Sequence, residues 1–156
     1  MRISIIAVGQ RLPAWVNDGF KIYHQRFPKH IKVELIEVPA IQRTSGVTAD
    51  KAMAQESERM LKHVQPGQRV IALDEHGKQW TSRELSTQME EWQQLYPQVA
   101  ILIGGADGLG PECKARADRT WSLSRLTLPH GMVRVMLAEQ LYRGWTLIQG
   151  HPYHRD

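Results

Sequence analysis

Five short apolar runs rich in β-branched residues punctuate this chain, and each stops at a residue that breaks a strand. Residues 3–8 close on Gly9, 33–38 on Pro39, 70–73 on Asp74, 99–103 on Gly104 and 121–128 on Pro129. Runs of this length, bounded by turn residues, read as strands. Between them the apolar spacing changes to the helical period. Residues 13–27 place Trp15, Phe20, Tyr23 and Phe27 near one face, and residues 49–64 carry Ala52, Met53, Met60 and Leu61. Residues 81–96 add Leu85, Met89, Trp92 and Leu95, and open with Thr81 and Glu84 in capping-box spacing. Strand alternating with helix predicts an α/β sandwich with a mainly parallel sheet, whose ligands gather where the strands end.

The 156 residues suit one domain, taken as 1–156, and 42% hydrophobic with 23% charged residues is ordinary globular usage. Cys113 is the single cysteine, so no intramolecular disulfide and no cysteine-only zinc site can form, which fits a reducing cytosol. No apolar run approaches the roughly 20 residues that span a bilayer, and the opening MRISIIAVGQ is a poor signal peptide. The expectation is a soluble cytoplasmic protein without membrane association. Residues 40–48 form a polar loop, the best candidate for a mobile segment; no stretch is repeated or low in complexity.

The formal charge of +4 is unevenly spread. Residues 1–63 carry 10 basic and 6 acidic groups, 64–110 carry 3 and 6, and 111–156 carry 7 and 4. Basic flanks around an acidic middle permit a patch for a polyanion such as RNA, or merely solvated lysines and arginines. The last helical stretch, 132–149, has apolar residues in nearly every direction around its axis, from Met132 and Val133 to Leu147 and Ile148. Such a helix must be covered on more than one side, and a second subunit could supply the cover.

Several chemistries are disfavoured by missing patterns. Gly9-Gln10-Arg11-Leu12 lacks the glycine spacing of a dinucleotide turn, and no phosphate-cradling P-loop, nucleophile elbow or HExxH metal pair occurs. His151-Pro152-Tyr153-His154 is a weak metal candidate because Pro152 breaks helical facing. Three segments remain informative. Leu73-Asp74 ends a strand; residues 103–111, IGGADGLGP, carry four glycines into a helix start at Pro111; residues 121–130 read WSLSRLTLPH.

At these segments the chain resembles the RlmH family of SPOUT-class RNA methyltransferases. The matching blocks are ILIGG at 101–105, WSLSRLTLPH at 121–130, VRVMLAEQLYRGW at 133–145 and HPYHR at 151–155, with AVG at 7–9, RFP at 26–28 and ELIEVP at 34–39. The resemblance implies an α/β domain tied in a trefoil knot, acting as a homodimer. It implies S-adenosylmethionine held at Leu73, Gly104, Leu123, Ser124, Arg125, Leu126, Thr127 and Leu128. Leucines and bare main chain suit an adenine slot, Gly104 keeps a Cβ out of the ligand's way, and Arg125 is larger than the small residue expected there.

The implied substrate is a pseudouridine in the 23S RNA of the large ribosomal subunit, methylated at N3, either as free RNA or in the assembled ribosome. Transfer to a ring nitrogen needs orientation and loss of the imide proton. Tyr153 and His154 are expected to position or deprotonate the base. His130, Arg134, Arg143, His151 and Arg155 are expected to meet the RNA. Structural alternatives stay open: His130 as a helix cap, Tyr153 as a dock for the tail, Arg134 or Arg143 paired with Glu139. Two other readings compete, a noncatalytic RNA-binding module and an α/β enzyme of small-molecule metabolism.

Overall fold

The computed structural model describes residues 1–153. Strands β1 (Arg2–Val8), β2 (Lys32–Val38), β3 (Arg69–Gln79), β4 (Gln98–Ile103) and β5 (Arg119–Ser122) form one sheet in the order β2-β1-β4-β3-β5, with every pairing parallel. Helices α1 (Ala14–His24), α2 (Ala49–Leu61), α3 (Ser82–Leu95), α4 (Pro111–Arg116) and α5 (His130–Gln149) fill the connections and the carboxyl-terminal segment. A parallel sheet must be covered on both faces, and alternate residues of each strand divide accordingly. Ile3, Ile5, Ile71, Val99 and Ile101 pack against Phe20 of α1, Trp92 of α3 and Leu137 and Leu141 of α5. Ile6, Val70, Ala72, Ala100 and Leu102 pack on the opposite face against Met60 of α2 and Cys113 of α4.

Local chemistry sets the element ends. Thr81 and Glu84 close a reciprocal capping box at the start of α3, as their spacing predicts, and the Thr48 hydroxyl accepts from the Lys51 amide to start α2. Gly150 ends α5 in the left-handed conformation, φ 67°.

Two strands differ from their sequence pattern. Residues 121–128 look like one strand, yet β5 ends at Ser122, whose hydroxyl donates to the Ser124 carbonyl at 2.8 Å and turns the chain. Trp121 with Leu123, and Leu126 with Leu128, repeat at strand spacing, but residues 123–128 belong to a loop. Conversely β3 runs past Leu73 to Gln79: its register against β5 shifts between Leu73 and Lys78, so residues 74–77 bulge out before pairing resumes. Gly77 is required there, since a Cβ at this position would lie 2.8 Å from main-chain atoms of Thr120 and Trp121. The 40–48 loop, expected to be mobile, is anchored through Arg43, which bonds Glu56 of α2 at 2.6 Å and Asp107 at 3.1 Å.

Strand order fixes where a ligand can sit. After β1 the chain leaves to α1 on one face, and after its neighbour β4 it leaves to α4 on the other. A crevice therefore opens between their carboxyl ends, the usual binding place of open α/β sheets. Gly77→Val is expected to destabilise the protein by about 1–3 kcal/mol, as overpacking does, because β5 must separate from the bulge. Denaturant unfolding of the variant checks this; an unchanged midpoint would show that the bulge can give way freely.

Candidate functional site

At this crevice lies a cleft of about 840 Å³. Its floor is the end of β1 at Val8 and Gly9 and of β4 at Ile103, Gly104 and Gly105; one side is Leu73 to His76 from β3, and the rim is residues 123–130. Leu73, Gly104, Leu123, Ser124, Leu126, Thr127 and Leu128, far apart in sequence, share this one hollow. Arg125 does not. It lines a neighbouring polar hollow of about 610 Å³ with His76, Gln79 and Thr127.

The rim presents bare main chain. Among the described residues, the peptide groups of 124–128 make no hydrogen bond to other main chain; only the Leu126 amide, donating to the Ser124 hydroxyl at 2.9 Å, and the Ser124 carbonyl are engaged. Such groups take partners from water or from a ligand. Side chains hold the rim instead: Thr127 donates its hydroxyl to Glu75 at 3.0 Å, and Lys114 pairs with Asp74 at 3.2 Å across the wall.

Gly104 has a different reason from the one its sequence context suggests. A Cβ there would strike the main chain of Gly108 and the Leu109 amide, 2.6 Å away, so the missing side chain serves the closure of the glycine-rich loop rather than room for a ligand. Gly108 itself sits at φ 82°.

Arg134 departs from expectation, and so does the reading of His130 as a helix cap. Arg134, expected at a phosphate, is 0% exposed and spends its guanidinium inward on Glu37 at 2.6 Å, the Gly9 carbonyl at 2.8 Å and His130 Nε2 at 2.9 Å. Buried so, it offers no face to a phosphate. His130 is not a cap, since Pro129 holds that position; its Nδ1 lies 3.0 Å from the Gly104 carbonyl. Burial, with Arg134 beside it, holds the imidazole below its ordinary pKa of 6.5.

The tail is elsewhere. Tyr153 folds back on α5, donates its hydroxyl to Glu139 at 2.9 Å, and lies between the Tyr142 ring and the Arg143 guanidinium. Arg143 pairs with the same Glu139 carboxylate at 2.6 Å. His151 is exposed, its amide donating to the Thr146 carbonyl and its Nδ1 accepting from the Tyr153 amide. Glu139 lies about 13 Å along the helix from His130, so one chain does not bring Tyr153 to the cleft. His154 and Arg155 lie outside the described residues.

Sequence reasoning missed Gly9, Glu75, Glu37 and Lys114. Gly9 ends a strand and could have been chosen on that ground, whereas nothing local marks Glu37 or Lys114. Asp74 was visible as a strand end without a stated role. No cluster of three or more His, Cys, Asp or Glu side chains that could hold a metal occurs among the described residues, and none of their helices is long and apolar enough to cross a membrane.

Residues 1–154 match a family model described as "Predicted SPOUT methyltransferase". The chain is 50% identical to "Ribosomal RNA large subunit methyltransferase H" of Marinomonas sp. (strain MWYL1), over 99% of this chain and 100% of that protein. It is 51% identical to the protein of the same name from Saccharophagus degradans, with the same coverage. In solved structures, a probable methyltransferase from Bordetella pertussis Tohama I superposes with TM-score 0.57 at 17% identity, covering 91% of this chain and 95% of that one. A probable methylase family protein from Haemophilus influenzae Rd KW20 gives 0.53 at 14% identity, covering 99% and 70%. At such identities these two structures speak for the fold alone.

Burial and the Glu139 carboxylate push the Tyr153 phenol up to about 12. At neutral pH it is protonated, a hydrogen-bond donor and not a base. Glu139→Gln is expected to bring its ionisation down toward the ordinary tyrosine value, read as earlier appearance of tyrosinate absorbance relative to a Tyr153→Phe control. An unmoved titration would detach Tyr153 from Glu139.

Proposed function

The chain belongs to the SPOUT methyltransferases and, within them, to the ribosomal RNA large subunit methyltransferase H family; from that premise we propose that it methylates N3 of a pseudouridine in 23S ribosomal RNA, using S-adenosylmethionine. The observation that carries the proposal is the cleft at the carboxyl ends of β1 and β4, rimmed by main chain without main-chain partners. Its volume suits a nucleoside-sized ligand. Leu73, Leu123 and Leu128 offer apolar faces for an adenine, and the peptide groups of 123–128 offer the edge hydrogen bonds. Gly104, Ser124, Leu126 and Thr127 complete the holding set, with Arg125 contributing main chain only. When bound, the donor supplies an electrophilic methyl on a sulfonium.

The protein's own work is orientation and management of the imide proton. Asp74 and Asp107 on the wall are paired with Lys114 and Arg43, and Glu75 adds a carboxylate that suits a cationic donor. Tyr153, protonated and giving its one hydroxyl proton to Glu139, meets the base as a hydrogen-bond acceptor, leaving His154 as the tail group able to take the proton. Because Tyr153 docks far from the cleft of its own chain, the tail serves the cleft of a second copy, and the working unit is a homodimer. Support comes from an apolar stripe that remains open on α1 and α5, where Trp15 is 52% and Met132 41% exposed, beside half-buried Val135 and Met136. His151, Arg143 and Arg155 keep the role of meeting the RNA in this reading. Arg134 drops out of it. Residues 1–156 act as one knotted domain in the cytoplasm, on the large subunit or the assembled ribosome.

Purified protein given S-adenosylmethionine with ribosomal particles or naked RNA is expected to produce methylpseudouridine, read by mass spectrometry of RNA digests. Deleting residues 151–156 should abolish transfer while calorimetric binding of the donor survives. RNA binding without donor binding would instead identify a noncatalytic module. Turnover by the truncated protein would remove the tail from the mechanism.

A further inference from the structure

One guanidinium joins the cleft to three parts of the fold. Arg134, at the start of the second turn of α5, donates to Glu37 of β2, to the carbonyl of Gly9 after β1, and to His130 one turn earlier on its own helix. His130 in turn reaches the carbonyl of Gly104 after β4 at 3.0 Å. Gly9 and Gly104 are the two strand ends that form the cleft floor.

The network dictates a protonation state. Arg134 Nε can only donate, so His130 Nε2 must accept, and the single proton of a neutral imidazole then sits on Nδ1 and points at the Gly104 carbonyl. A protonated ring would turn two donors toward each other and set a second cation against a buried one. It would also add positive charge to a cleft that receives a sulfonium.

We propose that His130 and Arg134 are positioning residues of the donor site, a neutral-histidine relay that fixes the Gly9 and Gly104 main chain and thereby sets affinity for the methyl donor without touching RNA. This rests on the methyltransferase reading. The charged groups facing His130 are Arg134 from its own helix and Glu37 from β2; β1 and β4 turn only main-chain carbonyls toward the pair, and Asp74, Glu75, Asp107 and Lys114 stand on the cleft walls. The lowered pKa of His130 gives the sign. The relay is intact above the ordinary histidine value of 6.5 and is lost as pH falls through the depressed folded-state value.

The test is donor affinity by calorimetry between about pH 5 and 8. Wild type is expected to bind S-adenosylmethionine with constant affinity at the upper end and to weaken by about threefold or more toward the acid end. His130→Gln keeps a donor and an acceptor but does not titrate, so its profile is expected to be flat. Arg134→Lys loses the fork and is expected to weaken binding about tenfold across the range, with thermal melts recording that both variants are folded. A flat wild-type profile, or an acid limb that persists in His130→Gln, overturns the relay while leaving the methyltransferase reading intact. Absence of donor binding by wild type at neutral pH overturns both.

Discussion

Burial of one sheet on both faces governs everything else here, because a strand whose two sides are both apolar can end only at the sheet's rims, and in a parallel sheet all carboxyl ends share one rim. Ile3, Ile5 and Ile101 on one side and Ile6, Ala100 and Leu102 on the other leave no polar face on which a site could be built. The chain's glycine-rich loop, its β3 bulge and its 123–130 segment are therefore forced together. Their meeting is a consequence of topology, and the chemistry follows from what those loops expose.

What they expose is mostly backbone. Where a loop must stay open to a ligand, its peptide groups cannot be consumed by neighbouring strands, and side chains have to do the holding. Thr127 on Glu75, Ser122 and Ser124 on the loop's own main chain, and Lys114 on Asp74 are such props. They are single hydrogen bonds or ion pairs on partly exposed side chains, so each contributes modestly. The buried guanidinium of Arg134 is different in kind: removed from water, it depends on all of its partners at once, which makes the floor of the cleft far less compliant than its rim.

The features legible in the sequence were those written in a local pattern. Alternation of strand and helix, the Thr81–Glu84 capping box and the glycines of 104–110 each depend on neighbours a few residues away, and the structure reproduces them. Misreadings arose where partners are distant. Leu126 and Leu128 repeat like a strand although they line a cavity, and cavity lining has no period that distinguishes it. The β3 extension exists only because Trp121 and Ser122 are there to pair with Lys78 and Gln79. Arg134 looked like a phosphate ligand because its partners, Glu37 and Gly9, lie about a hundred residues upstream; Gly104 looked like ligand space because Gly108 and Leu109 could not be folded back onto it on paper.

Helix α5 carries the remaining consequence. At about 30 Å it is the longest helix described, with the cleft at its first turn and the Glu139–Arg143–Tyr153 cluster well down its length. An enzyme cannot act on a proton and a methyl group held that far apart. Either the tail leaves its dock, giving up the Glu139 hydrogen bond and the Tyr142 contact, or it stays docked and faces another subunit's cleft. The second course keeps every contact observed in the single chain and also covers the apolar stripe of Met132, Val135 and Met136, whereas the first sacrifices contacts and covers nothing. On the proposed reading, economy of contacts thus favours a site divided between two copies, each helix presenting a cleft at one end and the Tyr153 dock at the other.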